Sequence, residues 1–223
     1  ISVFDMLKIG VGPSSSHTLG PWRAAERFLS ELRNENLLPF VHRVKIDLYG
    51  SLSLTGKGHA TDLAVMLGLS GQDPEYIPVE NIDGIIKSIE SKNEINLGNE
   101  KPIPFYFLQD IVFNKNFLPF HANGMTFTAY MTDDSEYVST FYSIGGGFVV
   151  KEERINAKKK IEIKCAFPYP IEKAAELLDY CKKENKSISE IVYENEKSMR
   201  TEAVIDHELI RIWKTMLECM YIG

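Results

Sequence analysis

Twice within its first 70 residues the chain runs a glycine-bracketed polar loop directly into a helical pattern. The first loop, GPSSSHTLGP, spans Gly12 to Pro21, and the second, TGKGHAT, spans Thr55 to Thr61. After the first loop, Ala24, Ala25, Phe28, Leu29 and Leu32 recur at helical spacing, opposite Arg23, Glu26, Arg27 and Glu31. Pro21 suits the first turn of that helix, where a missing N–H costs nothing. In HRVKIDLYGSL, Val44, Ile46 and Leu48 alternate with Lys45, Asp47 and Tyr49, the two-residue period of a strand. Following the second loop, Leu63, Ala64 and Leu67 face a core, and Gly68 or Gly71 ends the helix. A helix N-terminus leaves backbone N–H groups without partners, and its dipole favours an anion there. Both loops therefore sit where a carboxylate or phosphate is most easily held.

The remaining chain divides in character. Residues 73–122 are aromatic and turn-rich, with a short helix expected near Ile82 to Glu90. Two strands flanking Asp133–Asp134–Ser135 make a hairpin, and the Gly145–Gly146–Gly147 run marks a bulge or close backbone approach before another short strand. KEERINAKKK mixes acids and bases, which reads as a solvated connection. Beyond Pro168 and Pro170 the pattern is helical: IEKAAELLDYCKKEN, then SISEIVYENEKSM with a capping box from Ser187 to Glu190, then AVIDHELIRIWKTMLECMYIG. The fold class expected is α+β, a mixed sheet with helices packed on it, over residues 1–153, followed by a short all-helical segment over 154–223. Two or three helices bury little core alone, so the segment reads as the truncated beginning of a helical domain or as docked on a partner.

Charge and cysteine usage narrow the function classes. A net charge of −6 gives no broad basic surface for nucleic acid. No apolar run approaches a membrane span, and the start ISVFDMLKIG lacks a signal-peptide pattern. Cys165, Cys181 and Cys219 form neither CxxC nor a disulfide framework, which points to a reducing cytoplasm. No set of His, Asp, Glu or Cys has metal-ligand spacing. TGKGHAT is not a phosphate-binding P-loop, and no serine sits in a G-x-S-x-G elbow.

Chemistry must then come from the two loops. Loop one offers Ser14, Ser15, Ser16, His17 and Thr18; loop two offers Thr55, Lys57, His59 and Thr61. Capping accounts for one or two of the serines. His121, before the Asn123–Gly124 turn, and His42 and His207 read as surface or turn residues.

In order along the chain, SVFDMLKIGVGPSSSHTLGP, YGSLSLTGKGHATD, HANGMTF and YSIGGGFVV resemble the N-terminal β domain of the iron–sulfur L-serine dehydratases. FPYPIEKAAELLDYC and IWKTMLECM resemble the start of that family's α domain. The resemblance implies a β domain similar to the allosteric substrate-binding domain of some phosphoglycerate dehydrogenases. It implies conversion of L-serine to pyruvate and ammonia with a [4Fe-4S] cluster, whose three cysteine ligands lie outside this chain. It also implies a partner, either the remainder of the α domain or a separate α subunit, and the sheet edges suggest a homodimer. Given that chemistry, His59 is the candidate general base, oriented by Thr61, with His17 as a second polar partner. Ser14, Ser15 and Ser16, assisted by Lys57, are the candidate carboxylate cradle. His17 and His59 are expected on one pocket wall. The competing readings are a regulatory module that binds L-serine or another small carboxylate without chemistry, and loops that only cap helices and dock the α domain.

Overall fold

The computed structural model describes residues 2–153 and 167–222. Cys165 and most of KEERINAKKK lie outside the described residues. The chain forms two compact units, Gly10–Lys158 and a second made of Ile1–Ile9 with Lys159–Gly223.

In the first unit the sequence periods become a sheet and its covering helices, an α+β arrangement. Helix α2 (Gly20–Asn34) follows a π-helical turn, Ser15–Leu19, and leads into β1 (Val41–Tyr49). Helices α3 (Ser51–Thr55) and α4 (Thr61–Leu69) follow, separated by a 3-10 turn at Gly56–His59. Next come α5 (Val79–Lys92), the β2–β3 hairpin (Glu94–Leu97, Lys101–Pro104), α6 (Phe107–Asp110) and β4 (Ile111–Asn114). Strands β5 (Gly124–Met131), β6 (Glu136–Gly145) and β7 (Phe148–Lys151) complete the unit. The main sheet has the order β4-β1-β5-β6-β7, mixed because β1 and β4 run parallel while the other neighbours are antiparallel.

Val44, Ile46 and Leu48 of β1 are buried, whereas Lys45 and Asp47 pair with each other at 2.8 Å on the opposite side, as strand alternation requires. Across the inner face lie Trp22, Phe28, Leu29 and Leu32 of α2, with Phe127 and Phe141 in the same core. Phe28 stacks on Phe127 at 5.2 Å between ring centroids. The Trp22 indole N–H donates to the Gln72 carbonyl at 2.7 Å, so this large ring is buried with its polar atom satisfied. Asp110 is fully buried beside the parallel β1–β4 pair; its carboxylate accepts from the Arg43 guanidinium at 2.8 Å and from the Tyr106 backbone N–H at 2.6 Å.

Helix α4 shows which of the two expected glycines ends it. Gly68 does not end it but lies inside it, where a Cβ would stand 2.7 Å from both the Ala25 Cβ and the Trp22 carbonyl oxygen. It lets α4 lie directly against α2 at this point. Gly71, at φ +74°, takes the left-handed position just past the helix end. The triple glycine behaves as expected: the β6–β7 register shifts between Ser143 and Gly145, and all three glycines have positive φ.

The second unit packs the short helix α1 (Val3–Met6) with α7 (Ala174–Glu184), α8 (Ile188–Lys197) and α9 (Glu202–Ile222). Its organising group is Glu196, 4% exposed. This carboxylate accepts from the Ser2 hydroxyl at 2.9 Å and the Val3 N–H at 2.8 Å, and Arg200 pairs with it at 2.7 Å. A buried anion at the start of α1 is both hydrogen-bonded and neutralised, as burial of charge demands. The Ser187–Glu190 capping box is present at the head of α8. No described helix is long and apolar enough to cross a membrane.

Candidate active site

Loop one is the distorted first turn of α2. Ser14, in extended backbone, caps it: the Ser14 hydroxyl accepts from the His17 N–H at 3.2 Å, and its carbonyl accepts from Thr18 and Leu19. A π-helical turn of this kind is uncommon and concentrates at functional positions. The turn is held from the sheet side by Ser143, whose hydroxyl donates to the Ser16 carbonyl at 2.7 Å. Gly20 permits that approach, since a Cβ there would stand 2.0 Å from the Ser143 Oγ. At N1 and N2 of this helix, Ser15 and Ser16 carry N–H groups that the helix itself leaves without acceptors.

Loop two is carried by α3 and the 3-10 turn, and it meets loop one. The Thr18 hydroxyl donates to the His59 carbonyl at 2.7 Å, and the Thr61 hydroxyl donates to the His17 carbonyl at 2.6 Å. Each threonine thus fixes the backbone of the histidine in the other loop. The two imidazoles lie side by side, 5.1 Å between centroids and tilted by 39°. Between His59 and Thr61, Ala60 adopts φ +53°, a left-handed conformation that costs a non-glycine residue about 1 kcal/mol or more. The crossing hydrogen bonds hold it there.

The rings differ in environment. His59 Nδ1 lies 2.9 Å from the Thr55 carbonyl oxygen. A carbonyl only accepts, so Nδ1 carries the proton, and in the neutral ring Nε2 presents a bare lone pair. The orienting partner of His59 is thus the Thr55 carbonyl, while the Thr61 hydroxyl is engaged on the His17 carbonyl. His17 lies between two hydroxyls, Ser16 Oγ at 2.9 Å from Nδ1 and Ser51 Oγ at 2.9 Å from Nε2. Burial, and then the neighbouring His59, push the His17 imidazole below its ordinary value of 6.5, while a hydrogen bond to the Ser51 backbone opposes them.

The other sequence candidates distribute unevenly. The Ser16 hydroxyl is engaged with His17, and Ser14 with the cap, leaving the exposed Ser15 hydroxyl as the one of the three not drawn into these bonds. The Lys57 ammonium is exposed and sits 5.3 Å from the centre of the Phe113 ring. Ser51 and Ser143 join the site without having been singled out by residue type, and Thr55, one of the loop-two candidates, joins it through its carbonyl. HANG reaches the same region through backbone, the Ala122 carbonyl accepting from the Ser51 N–H at 2.9 Å.

The family described as serine dehydratase beta chain matches residues 2–154, more than half of the chain. The chain belongs to that family. Serine dehydratase relatives align with it end to end. L-serine dehydratase 1 of Escherichia coli (strain K12) is 41% identical over 224 residues, covering 100% of this chain and 49% of its own length. The L-serine dehydratase of Streptomyces coelicolor is 44% identical over 225 residues, 100% of this chain and 50% of its own length. That of Helicobacter pylori is 36% identical over 219 residues, 98% and 47%. The chain spans about half the length of the curated relatives it matches.

No group of three or more His, Cys, Asp or Glu among the described residues could hold a metal ion. The described cysteines, Cys181 and Cys219, are free thiols. These described residues do not fit an iron–sulfur cluster.

The depressed His17 value has a sign that can be measured. Folding favours neutral His17, so the stability it contributes is complete above the unfolded value near 6.5 and is lost as pH falls toward the folded value. Urea denaturation at pH 8 and pH 5.5 is expected to show a smaller acid loss in His17→Asn than in the parent. An equal loss in both would show that folding does not favour neutral His17.

Proposed function

We propose that this chain is the part of an L-serine dehydratase that grips the substrate and moves its Cα proton, in an α,β-elimination yielding pyruvate and ammonia. The observation that carries the reading is the pairing of His17 with His59 at 5.1 Å, with His59 Nε2 bare and aimed by a backbone carbonyl. Residues 1–153 act as the β domain and 154–223 as the beginning of a helical α domain. The remainder of the α domain, or a separate α subunit, completes the enzyme and holds the [4Fe-4S] cluster with its own ligands. The assembly is a cytoplasmic homodimer.

Elimination of water from serine requires loss of the Cα proton and departure of the β-hydroxyl. His59 Nε2 takes the Cα proton; the Thr55 carbonyl stabilises the imidazolium through Nδ1–H. The serine carboxylate lies at the head of α2, on the N–H groups of Ser15 and Ser16 and the Ser15 hydroxyl, where the helix dipole favours a negative charge. Ser14 builds that end rather than touching substrate, and Ser16 divides its role between its N–H and the His17 ring. Lys57 supplies a longer-range positive charge from loop two. Thr18 and Thr61 keep the two loops in register.

The test is steady-state kinetics on the complete enzyme carrying this sequence, following pyruvate from L-serine. Ser15→Ala is expected to raise KM several-fold and to leave kcat within about threefold, because the hydroxyl binds the carboxylate equally in ground and transition states. An unchanged KM would remove Ser15 from the cradle. Absence of pyruvate formation from L-serine by the parent enzyme would remove the function.

A further inference from the structure

We propose that Ser51 is the outlet of a proton relay that runs through His17, a role no loop motif assigns to it. Ser51 sits in the first turn of α3, positioned by β1 behind it and by its backbone N–H, which donates to the Ala122 carbonyl at 2.9 Å. Its hydroxyl lies 2.9 Å from His17 Nε2. On the far side of the ring, Ser16 Oγ lies 2.9 Å from Nδ1 and 3.4 Å from Ser14 Oγ.

The relay requires one direction along this chain, and its fixed end permits it. Ser14 Oγ accepts the His17 backbone N–H, so its own proton is free to point at Ser16. Ser16 then donates to Nδ1, which leaves the proton of the neutral ring on Nε2, donating to Ser51. Every donor points toward Ser51, and the Ser51 hydroxyl proton is left for an acceptor in the site. His17 thereby carries the tautomer opposite to that of His59, whose proton is on Nδ1. One imidazole accepts a proton at Nε2 while its neighbour passes one on.

This rests on the elimination reading above, in which the β-hydroxyl must leave as water. As the Cβ–O bond breaks, its electron pair stays on oxygen, which takes the proton from Ser51 Oγ. The Nε2 proton moves to Ser51, the Ser16 proton moves to Nδ1, and solvent restores Ser16; once product leaves, Nδ1 returns its proton through Ser16 to solvent while Nε2 takes one from solvent through Ser51, which restores the starting tautomer. The Cα proton held by His59 returns to solvent, so protons balance over the cycle. A neutral His17 suits such a relay, and the burial and crowding by His59 that disfavour its charged form act in the same sense.

Two measurements test the relay separately from the function. In the 223-residue chain labelled with [15N]histidine, long-range proton–nitrogen correlation spectra report the tautomer of each ring. Nε2–H on His17 and Nδ1–H on His59 are expected. Nδ1–H on His17 would reverse the chain and overturn the proposal, whatever the enzyme does. In the complete enzyme, Ser51→Ala is expected to lower kcat by about 10²-fold, the low end for acid–base groups, with KM for L-serine within about threefold. Ser51→Thr, which keeps the hydroxyl, is expected to recover most of the loss. A kcat for Ser51→Ala within twofold of the parent overturns the relay, as does a Ser51→Thr enzyme no faster than Ser51→Ala. Failure of the parent enzyme to form pyruvate would instead sink the function while leaving the tautomer result standing.

Discussion

His59→Gln in the complete serine dehydratase is expected to lower kcat by about 10²–10⁴-fold, the range for a positioned general base. Glutamine is the informative replacement. Its amide N–H can still donate to the Thr55 carbonyl, which now holds Nδ1 at 2.9 Å, so the loop keeps that tether. What glutamine lacks is a basic nitrogen where Nε2 stands. The His59 backbone carbonyl, which accepts from Thr18 at 2.7 Å, is unaffected by the change. KM is therefore expected to move much less than kcat. Turnover within a few-fold of the parent would place the base elsewhere. A change confined to substrate affinity or cooperativity would favour the regulatory-module reading of the same loops.

Gly68→Ala is expected to destabilise the first unit by about 1–3 kcal/mol, the usual cost of forcing a methyl into a filled core. The added Cβ would meet the Ala25 Cβ and the Trp22 carbonyl oxygen, both at 2.7 Å. A main-chain oxygen cannot swing aside as a flexible side chain does, so α4 must move away from α2. That movement has a consequence for the chemistry. Loop one ends where α2 begins and loop two ends where α4 begins, so separating the helices strains the Thr18 and Thr61 cross-links. Thermal denaturation should show a midpoint several degrees lower, and kcat should fall with it. Gly58→Ala provides the contrast: a Cβ there meets nothing within 4 Å, so stability and rate should stay near the parent. Equal behaviour of the two variants would mean that the α2–α4 contact is not what fixes the loops.

What could be read from the sequence was what local periodicity encodes. The apolar stripe of α2 and the alternation of β1 specify their buried faces residue by residue, and the Asp133–Asp134–Ser135 turn joins β5 to β6 where expected. The hairpin of β2 and β3 and the strand β4 were not legible. Each has four residues, β3 contains Pro102 and Pro104, and β4 is specified by parallel pairing with β1 some 65 positions away, from Ile46 to Ile111. Gly68 was ambiguous because a glycine that ends a helix and one that admits a neighbouring helix look alike until the neighbour is known. At the site, imidazoles and hydroxyls could be nominated by type. The carbonyl that sets the His59 tautomer could not, since every residue carries one. Ser51 lay unmarked for a related reason: its partner, His17, is 34 residues away and is reached only once β1 has delivered α3 beside the π-helical turn.

The central claim is that His59 is the base, and chemical rescue tests it most directly. In the complete enzyme bearing His59→Ala, pyruvate formation from L-serine should be slow and should rise with added imidazole, in proportion to its unprotonated fraction. A His59→Ala enzyme that forms pyruvate at the parental rate without imidazole would contradict the account.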